Sequence, residues 1–255
     1  MARGIWKALM AGPMAGLLAY SPIAHAYEAV PVRDGAVVEG NVAFKGEAPA
    51  PKKIIMGKDI DVCGLDPVTG TKSITRESKE LLVKNGRITN AIVYLEGIAK
   101  GKAWKMPTGG FVLDQKNCDF APRVSAFPPG EITMVNSDPV LHNSHGFEGL
   151  ELAGARSVFN IAQPNKGQRT KLRLRRPAIH EVKCDAHGWM HAWIYVGEHP
   201  YVAITKADGA FRLDEIPPGS YKLIAWHETL GKQEKEVTVK AGGRVSVVFE
   251  FSMKP

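Results

Sequence analysis

The sequence contains few cysteines, 3 in 255 residues, and an odd number excludes a framework in which every cysteine is paired within the chain. After residue 26 no apolar stretch is long enough to cross a bilayer, so we expect no membrane-spanning helix there. Apolar residues at helical spacing are also nearly absent, which argues against a helical bundle. The net charge of +7 at pH 7 is too small an excess to indicate a nucleic-acid partner.

The first 26 residues have the composition of a secretory signal peptide. Basic residues precede an apolar stretch from Ala8 to Tyr20, and Ala24-His25-Ala26 is a small-x-small cleavage site. We therefore expect residues 1–26 to be removed and the mature protein to be periplasmic, with no stable membrane insertion. The alternative is an uncleaved anchor, which the short, Gly- and Pro-interrupted apolar stretch disfavours.

The remaining sequence is typical of β-strands. Segments such as ITNAIVYLEG, GEITMVNSD, HAWIYVG and EVTVKAGGRVSVVFEF are rich in β-branched and aromatic residues and are bounded by turn residues. Many short strands predict an all-β sandwich or barrel. The composition changes near His199, beyond which no ligand-type cluster occurs. We therefore predict one β-domain over residues 27–198, which includes an N-terminal extension, and a small β-sandwich over residues 199–255.

The three cysteines divide into two kinds. Cys63 and Cys118 lie in polar, turn-like surroundings, whereas Cys184 lies beside histidine and methionine in the sequence CDAHGWM. In an oxidising compartment we expect a Cys63–Cys118 disulfide. A free thiol there would be oxidised, so we expect Cys184 to be a metal ligand.

The segment CDAHGWM places Cys184, His187 and Met190 in one tight turn between two predicted strands. Thiolate, imidazole and thioether form a soft donor set, which favours copper over magnesium, calcium or manganese. The upstream segment VNSDPVLHNSH supplies a second imidazole. We prefer His142 to His145 there, because Asn143 follows His142 and can connect the two ligand loops.

These residues resemble the ligand set of the cupredoxins. The spacing C-x-x-H-x-x-M is that of amicyanin, and VNSDPVLHNSH is similar to the segment that carries the first histidine of amicyanin and plastocyanin. The resemblance, over about residues 112–197, implies a Greek-key β-sandwich that binds one type 1 copper. It implies His142, Cys184 and His187 as equatorial ligands and Met190 as the axial ligand. The sequence departs from amicyanin at Gly188, where amicyanin has proline.

The C-terminal segment AITKADGAFRLDEIPPGSYKLIAWHETLG resembles carboxypeptidase regulatory-like domains. These are small transthyretin-type β-sandwiches that usually lack catalytic residues. The resemblance implies that this part of the chain has no catalytic role.

The expected function is that of a periplasmic single-electron carrier, and not of an enzyme. The cupredoxin resemblance implies a c-type cytochrome or a periplasmic dehydrogenase as redox partner, with His187 as a partly exposed edge for electron transfer. Copper enzymes usually carry paired H-x-H motifs, and none occurs here. Two alternatives stay open: a copper-delivery protein, and a zinc site in which His191 replaces Met190.

Two further features have both a structural and a functional interpretation. The segment QRTKLRLRRP places basic residues on one face of a strand. It is interpreted either as a solvated outer face or as a docking surface for an acidic redox partner. Trp189 flanks the predicted ligands and could cover the copper.

Overall fold

The computed structural model describes Met1 and residues 27–66, 68–149 and 154–253, so the predicted signal peptide lies almost entirely outside the described residues. Within these ranges the chain is built from strands and one short helix, which confirms the all-β prediction. No helix in the described part of the chain is long and apolar enough to span a membrane.

The elements follow one another along the chain in three groups. The N-terminal group comprises β1 (Glu28–Ala29), β2 (Ala36–Phe44), β3 (Lys53–Ile55), α1 (Ile60–Cys63), β4 (Thr75–Glu77), β5 (Val83–Lys84), β6 (Arg87–Ile88), β7 (Ile92–Glu96) and β8 (Lys100–Gly101). The middle group comprises β9 (Phe111–Gln115), β10 (Phe120–Ala121), β11 (Val124–Phe127), β12 (Gly130–Asn136), β13 (His142–Glu148), β14 (Arg156–Gln163), β15 (Arg169–Leu174), β16 (Ala178–Lys183) and β17 (His191–Val196). The C-terminal group comprises β18 (Val202–Ile204), β19 (Ala210–Ile216), β20 (Gly219–His227), β21 (Gly231–Val239) and β22 (Arg244–Phe251).

The middle group forms what we call the first sandwich. One sheet has the strand order β10-β9-β12-β15 and the other has the order β11-β17-β16-β13-β14. Apolar side chains from the two sheets, including Leu113, Met134, Val182 and Ile194, form a single buried cluster. Burial of such apolar surface is the main force that holds the two sheets together.

The remaining long strands form a second sandwich. Its sheets have the orders β18-β7-β20-β21 and β19-β2-β6-β5, and β22 pairs with β2. Strands β2 and β7 come from the N-terminal part of the chain, so the predicted unit over residues 199–255 is incomplete. The parallel pair of β2 and β22, for example Val38 opposite Val245, joins segments that the predicted boundary near His199 had separated.

The two sandwiches are in contact through an aromatic cluster. The rings of Trp193 and Trp226 have centroids 4.9 Å apart, and this cluster fills the outer face of β17. Beside it, Arg123 donates two hydrogen bonds to the carboxylate of Glu228, each 2.8 Å long. This partly buried ion pair and the aromatic cluster fix the first sandwich against the second.

Strand β15 is an edge strand with a basic face. Arg169, Lys171 and Arg173 are exposed and alternate with the partly buried Leu172 and the buried Leu174. The predicted alternation is therefore confirmed, whereas a docking role for this face stays a prediction. Charged residues on an edge strand also hinder pairing with other chains.

Candidate metal centre

Three ligand atoms converge at one end of the first sandwich. The Nδ1 atoms of His142 and His187 are 3.0 Å apart, and the Sγ atom of Cys184 lies 3.9 and 3.8 Å from them. A metal ion ~2.0 Å from nitrogen and ~2.3 Å from sulfur would hold sulfur and nitrogen about 3.5–3.7 Å apart and the two nitrogens about 3.3–3.5 Å apart. Each of the three distances lies within about 0.5 Å of these values, and the donor set of two imidazoles and a thiolate suits copper or zinc.

The strands place these residues together. His142 is the first residue of β13, and Cys184 follows directly after β16, which pairs with β13. In the loop between β16 and β17, the Met190 N–H donates to the His187 carbonyl at 3.0 Å and the Cys184 N–H donates to the Met190 carbonyl at 3.3 Å. The loop is thereby closed into a tight turn, as the sequence predicts.

Met190 is fully buried and belongs to the same apolar cluster as Cys184. The hydrogen bonds that close the loop fix its backbone beside the three converging donors. Met190 is therefore buried in the same closed loop as Cys184 and His187, and its role as an axial ligand stays a prediction.

The environment of Cys184 favours a thiolate. Burial alone would raise its pKa, but hydrogen bonds from His142, His187 and the Asn143 N–H outweigh burial and lower the pKa to about 6. The Asn143 N–H lies 3.4 Å from Sγ. The Asn143 side chain also exchanges two hydrogen bonds with Asp185, at 2.5 and 2.8 Å, so it connects the segment that carries His142 to the loop that carries Cys184.

Each histidine is oriented by a carboxylate. The Nε2 atom of His142 lies 2.9 Å from Asp138 Oδ2, and the Nε2 atom of His187 lies 2.8 Å from Asp59 Oδ2. A carboxylate on Nε2 fixes the tautomer that leaves Nδ1 free for a metal. Burial opposes protonation of His142, but Asp138 and the Cys184 thiolate outweigh it and raise the pKa of His142 to about 9.

The N-terminal extension covers this end of the sandwich. We call the elements β3, α1 and β4 the cap; Asp59, the residue before α1, belongs to it. The predicted disulfide is present and joins Cys63 of the cap to Cys118. Arg76 of β4 donates hydrogen bonds to the carbonyls of Cys118, Asn117 and Cys63, at 2.7, 3.0 and 3.1 Å.

The cap overturns one expectation. His187 was expected to be partly exposed, but its relative exposure is 0% because Asp59 and the cap lie over its Nε2 edge. Sequence reasoning had no signal for this contact, which joins residues 128 positions apart. Asp138, by contrast, lies four residues before His142 in the quoted segment and could have been recognised as its partner.

The other histidines near the centre have different contacts. His145 lies 3.0 Å from Asp185 and 2.9 Å from Ser157, on the outer side of the loop. His191 lies 3.3 Å from Glu181 and 3.2 Å from the Gly188 carbonyl. Two groups of potential metal ligands converge within the described part of the chain, His142 with Cys184 and His187, and His142 with Asp138 and the disulfide-bonded Cys118. Neither includes His191, so the zinc set with His191 is not assembled.

Metal binding is expected to release protons. From pKa values of about 6 for Cys184 and about 9 for His142, we expect the metal-free protein to hold mainly a Cys184 thiolate and a His142 imidazolium at pH 7–8. A metal binds only the neutral imidazole, so the apparent affinity should rise about tenfold per pH unit from pH 7 towards pH 9, with about one proton released. Competition titrations against a chelator at several pH values would measure this slope. An affinity independent of pH over this range would contradict it.

Position 188 has room for a larger residue than glycine. A Cβ atom built there would have no neighbour within 4 Å, and its φ does not lie in the left-handed region. Gly188→Ala should therefore stabilise the metal-free protein by ~0.4–1 kcal/mol, because it reduces the entropy of the unfolded chain. Urea denaturation would measure the change, and Gly209→Ala, where φ is +67° and a carbonyl lies 2.7 Å away, is the destabilising control. A loss of stability in Gly188→Ala would contradict the expectation.

Comparison with known proteins gives partial matches. Residues 185–247 match the family model "Polysaccharide lyase family 4, domain II". This is not the carboxypeptidase regulatory-like family that the C-terminal sequence resembles. A comparison with curated proteins found no match.

Several solved structures are similar to parts of the chain. A purple cupredoxin from Nitrosopumilus maritimus is 19% identical over 34% of this chain and 99% of its own, with a TM-score of 0.30. Amicyanin from Paracoccus versutus is 15% identical over 36% and 85%, with a TM-score of 0.30. A copper-containing nitrite reductase from Thermus scotoductus is 19% identical over 37% and 23%, with a TM-score of 0.28.

Proposed function

We propose that this protein is a periplasmic single-electron carrier with one type 1 copper, bound by His142, Cys184, His187 and Met190. The observation that supports this proposal is the convergence of two imidazole nitrogens and one thiolate within 3.9 Å of one another. All three residues are at most 1% exposed. Its partner is proposed to be a redox protein, such as a c-type cytochrome or a periplasmic dehydrogenase.

The residues around the site favour electron transfer because they hold the donor atoms in place. Copper bound there would supply exchange of one electron between Cu(II) and Cu(I). Asp138 and Asp59 fix the two imidazole rings, and the Asn143 N–H holds the thiolate. Rigid donors rearrange little when the charge changes, which keeps the barrier to electron transfer low.

The closed site also distinguishes this proposal from its rivals. A substrate needs an open coordination position, and ligands at most 1% exposed offer it no direct access. Delivery of copper to another protein favours exposed, exchangeable ligands. We therefore propose that the chain is not an enzyme and is not a delivery protein. Zinc suits the same Cys-His-His donors and is the second candidate.

The test is the visible and EPR spectrum of the purified protein after addition of Cu(II), followed by voltammetry. We expect an intense thiolate-to-copper absorption band and a reversible one-electron wave. Absence of the band would contradict a type 1 site. Retention of zinc against a stoichiometric amount of Cu(II) would instead favour the zinc alternative.

A further inference from the structure

The cap closes the edge of the metal centre at which electrons were expected to cross. His187 is 0% exposed and its Nε2 atom lies 2.8 Å from Asp59 Oδ2. His142 is also 0% exposed, and its Nε2 atom faces Asp138, which is itself 5% exposed. Neither imidazole ring therefore reaches the surface.

Trp189 connects the buried site to the surface. Its ring centroid lies 5.1 Å from that of His187, and it is covalently adjacent to Met190. The indole is held in place from two sides, because its N–H donates to the Cys118 carbonyl at 3.1 Å and the Arg76 guanidinium lies 5.9 Å from its ring. Unlike the ligands, Trp189 is only partly buried.

The exposed side of Trp189 lines a cleft of about 340 Å³, which we call the Trp189 cleft. Its lining also includes Ile54 and Ile55 of the cap, Glu80 and Gly188. Gly188 contributes no side chain, and a Cβ atom built there would have no heavy atom within 4 Å. An acceptor in this cleft can therefore approach the indole ring without displacing the cap.

We propose that electrons cross between the metal centre and its redox partner through the indole ring of Trp189, at the Trp189 cleft, because the cap closes the His187 edge. This inference rests on the proposed electron-carrier function. Copper held by these ligands would supply one electron to an outer-sphere acceptor in the cleft, so that the acceptor is reduced by the electron that the metal loses, and no covalent bond would form or break.

One competing route starts at Cys184. Asp185 follows it in the chain and is exposed, so its backbone also leads from a ligand to the surface. The Asp185 side chain contacts Asn143 and His145 of β13. The Trp189 route is favoured because a delocalised ring in contact with His187 shortens the distance that the electron must tunnel.

The test compares rates of oxidation by outer-sphere one-electron acceptors in the copper-loaded protein. Trp189→Leu should slow the reaction about tenfold, or ~1.4 kcal/mol in activation free energy, and Trp189→Phe should slow it less. The visible band and the reduction potential should stay unchanged in both variants. Trp104→Phe, at another partly exposed tryptophan, is the matched control and should keep the wild-type rate.

A second measurement locates the crossing point without altering Trp189. Glu80→Lys adds positive charge at the cleft, so an anionic iron–cyanide complex should react several-fold faster at low salt, and a cationic cobalt complex more slowly. Glu236→Lys, on the exposed face of β21, makes the same charge change elsewhere and should alter neither rate. These rates can be measured even if Trp189→Leu fails to fold.

The outcomes separate the two proposals. A wild-type protein without the thiolate-to-copper band would overturn the proposed function, and the Trp189 route with it. A normal band and potential with unchanged rates in Trp189→Leu and Glu80→Lys would overturn the Trp189 route alone. Slower transfer in Asp185→Ala, with Trp189→Leu at the wild-type rate, would assign the crossing to Asp185 instead.

Discussion

Replacement of Cys184 by serine is expected to abolish the visible absorption band of the Cu(II)-loaded protein. The band requires a thiolate on copper, and a serine hydroxyl is not deprotonated at neutral pH. The affinity for Cu(II) should fall by at least ~100-fold, since loss of an outer hydrogen-bond partner alone costs about 10–100-fold. Absorption spectroscopy and a competition titration would measure both changes.

His142 and His145 provide matched controls for this experiment. They lie on the same strand, but only the Nδ1 atom of His142 faces Cys184 and His187, whereas His145 contacts Asp185 and Ser157. His142→Gln keeps the thiolate but removes one imidazole, so it should shift the band and weaken Cu(II) binding, whereas His145→Gln should leave both unchanged. A Cys184→Ser protein that still develops the band would show that the wrong thiol has been assigned.

Removal of the Cys63–Cys118 disulfide is expected to destabilise the protein strongly. The bond closes a loop with a sequence separation of 55, and chain entropy gives a contribution of roughly 4 kcal/mol for a loop of this size. Cys63→Ser/Cys118→Ser should lose about that free energy of unfolding in urea, in the metal-free protein. Because the same bond tethers the cap, the variant should also release bound metal to a chelator faster.

A variant of Arg76 distinguishes the effect of the hydrogen bonds that hold the cap from the effect of the disulfide. Arg76→Gln removes the three hydrogen bonds to carbonyls but leaves the disulfide intact. It should speed metal release while costing less stability than the double cysteine variant. Equal stability of the wild type and Cys63→Ser/Cys118→Ser would contradict the expected role of the disulfide.

The ligand residues could be predicted from sequence because their spacing is local. Cys184, His187 and Met190 share one short loop, and a loop between paired strands has few ways to close. His142 could be predicted because its segment carries histidine and asparagine side by side. Asp59 could not be predicted, since no local pattern indicates which distant carboxylate will fold over a histidine ring.

The division of the chain into two sandwiches also depends on contacts between distant residues, which the sequence pattern does not specify. Alternating residues in EVTVKAGGRVSVVFEF predicted strands where β21 and β22 lie, but alternation does not specify the partner of a strand. The parallel pairing of β22 with β2 depends on the packing of the whole second sandwich. A boundary drawn on composition near His199 therefore divided one folded unit.

The parallel pairing of β2 with β22 also sets an order of events when the protein is made. The strands β9–β17 are contiguous in the chain, so the first sandwich can fold as soon as they have emerged. The second sandwich needs both ends of the chain, and contacts between such distant segments form slowly. Whether the chain emerges from a ribosome or from an export channel, Ala36–Phe44 can pair with β6 and β19 as they emerge, but the backbone groups that pair with Arg244–Phe251 stay open until that strand arrives. During that interval its open edge is a site for chaperone binding or aggregation.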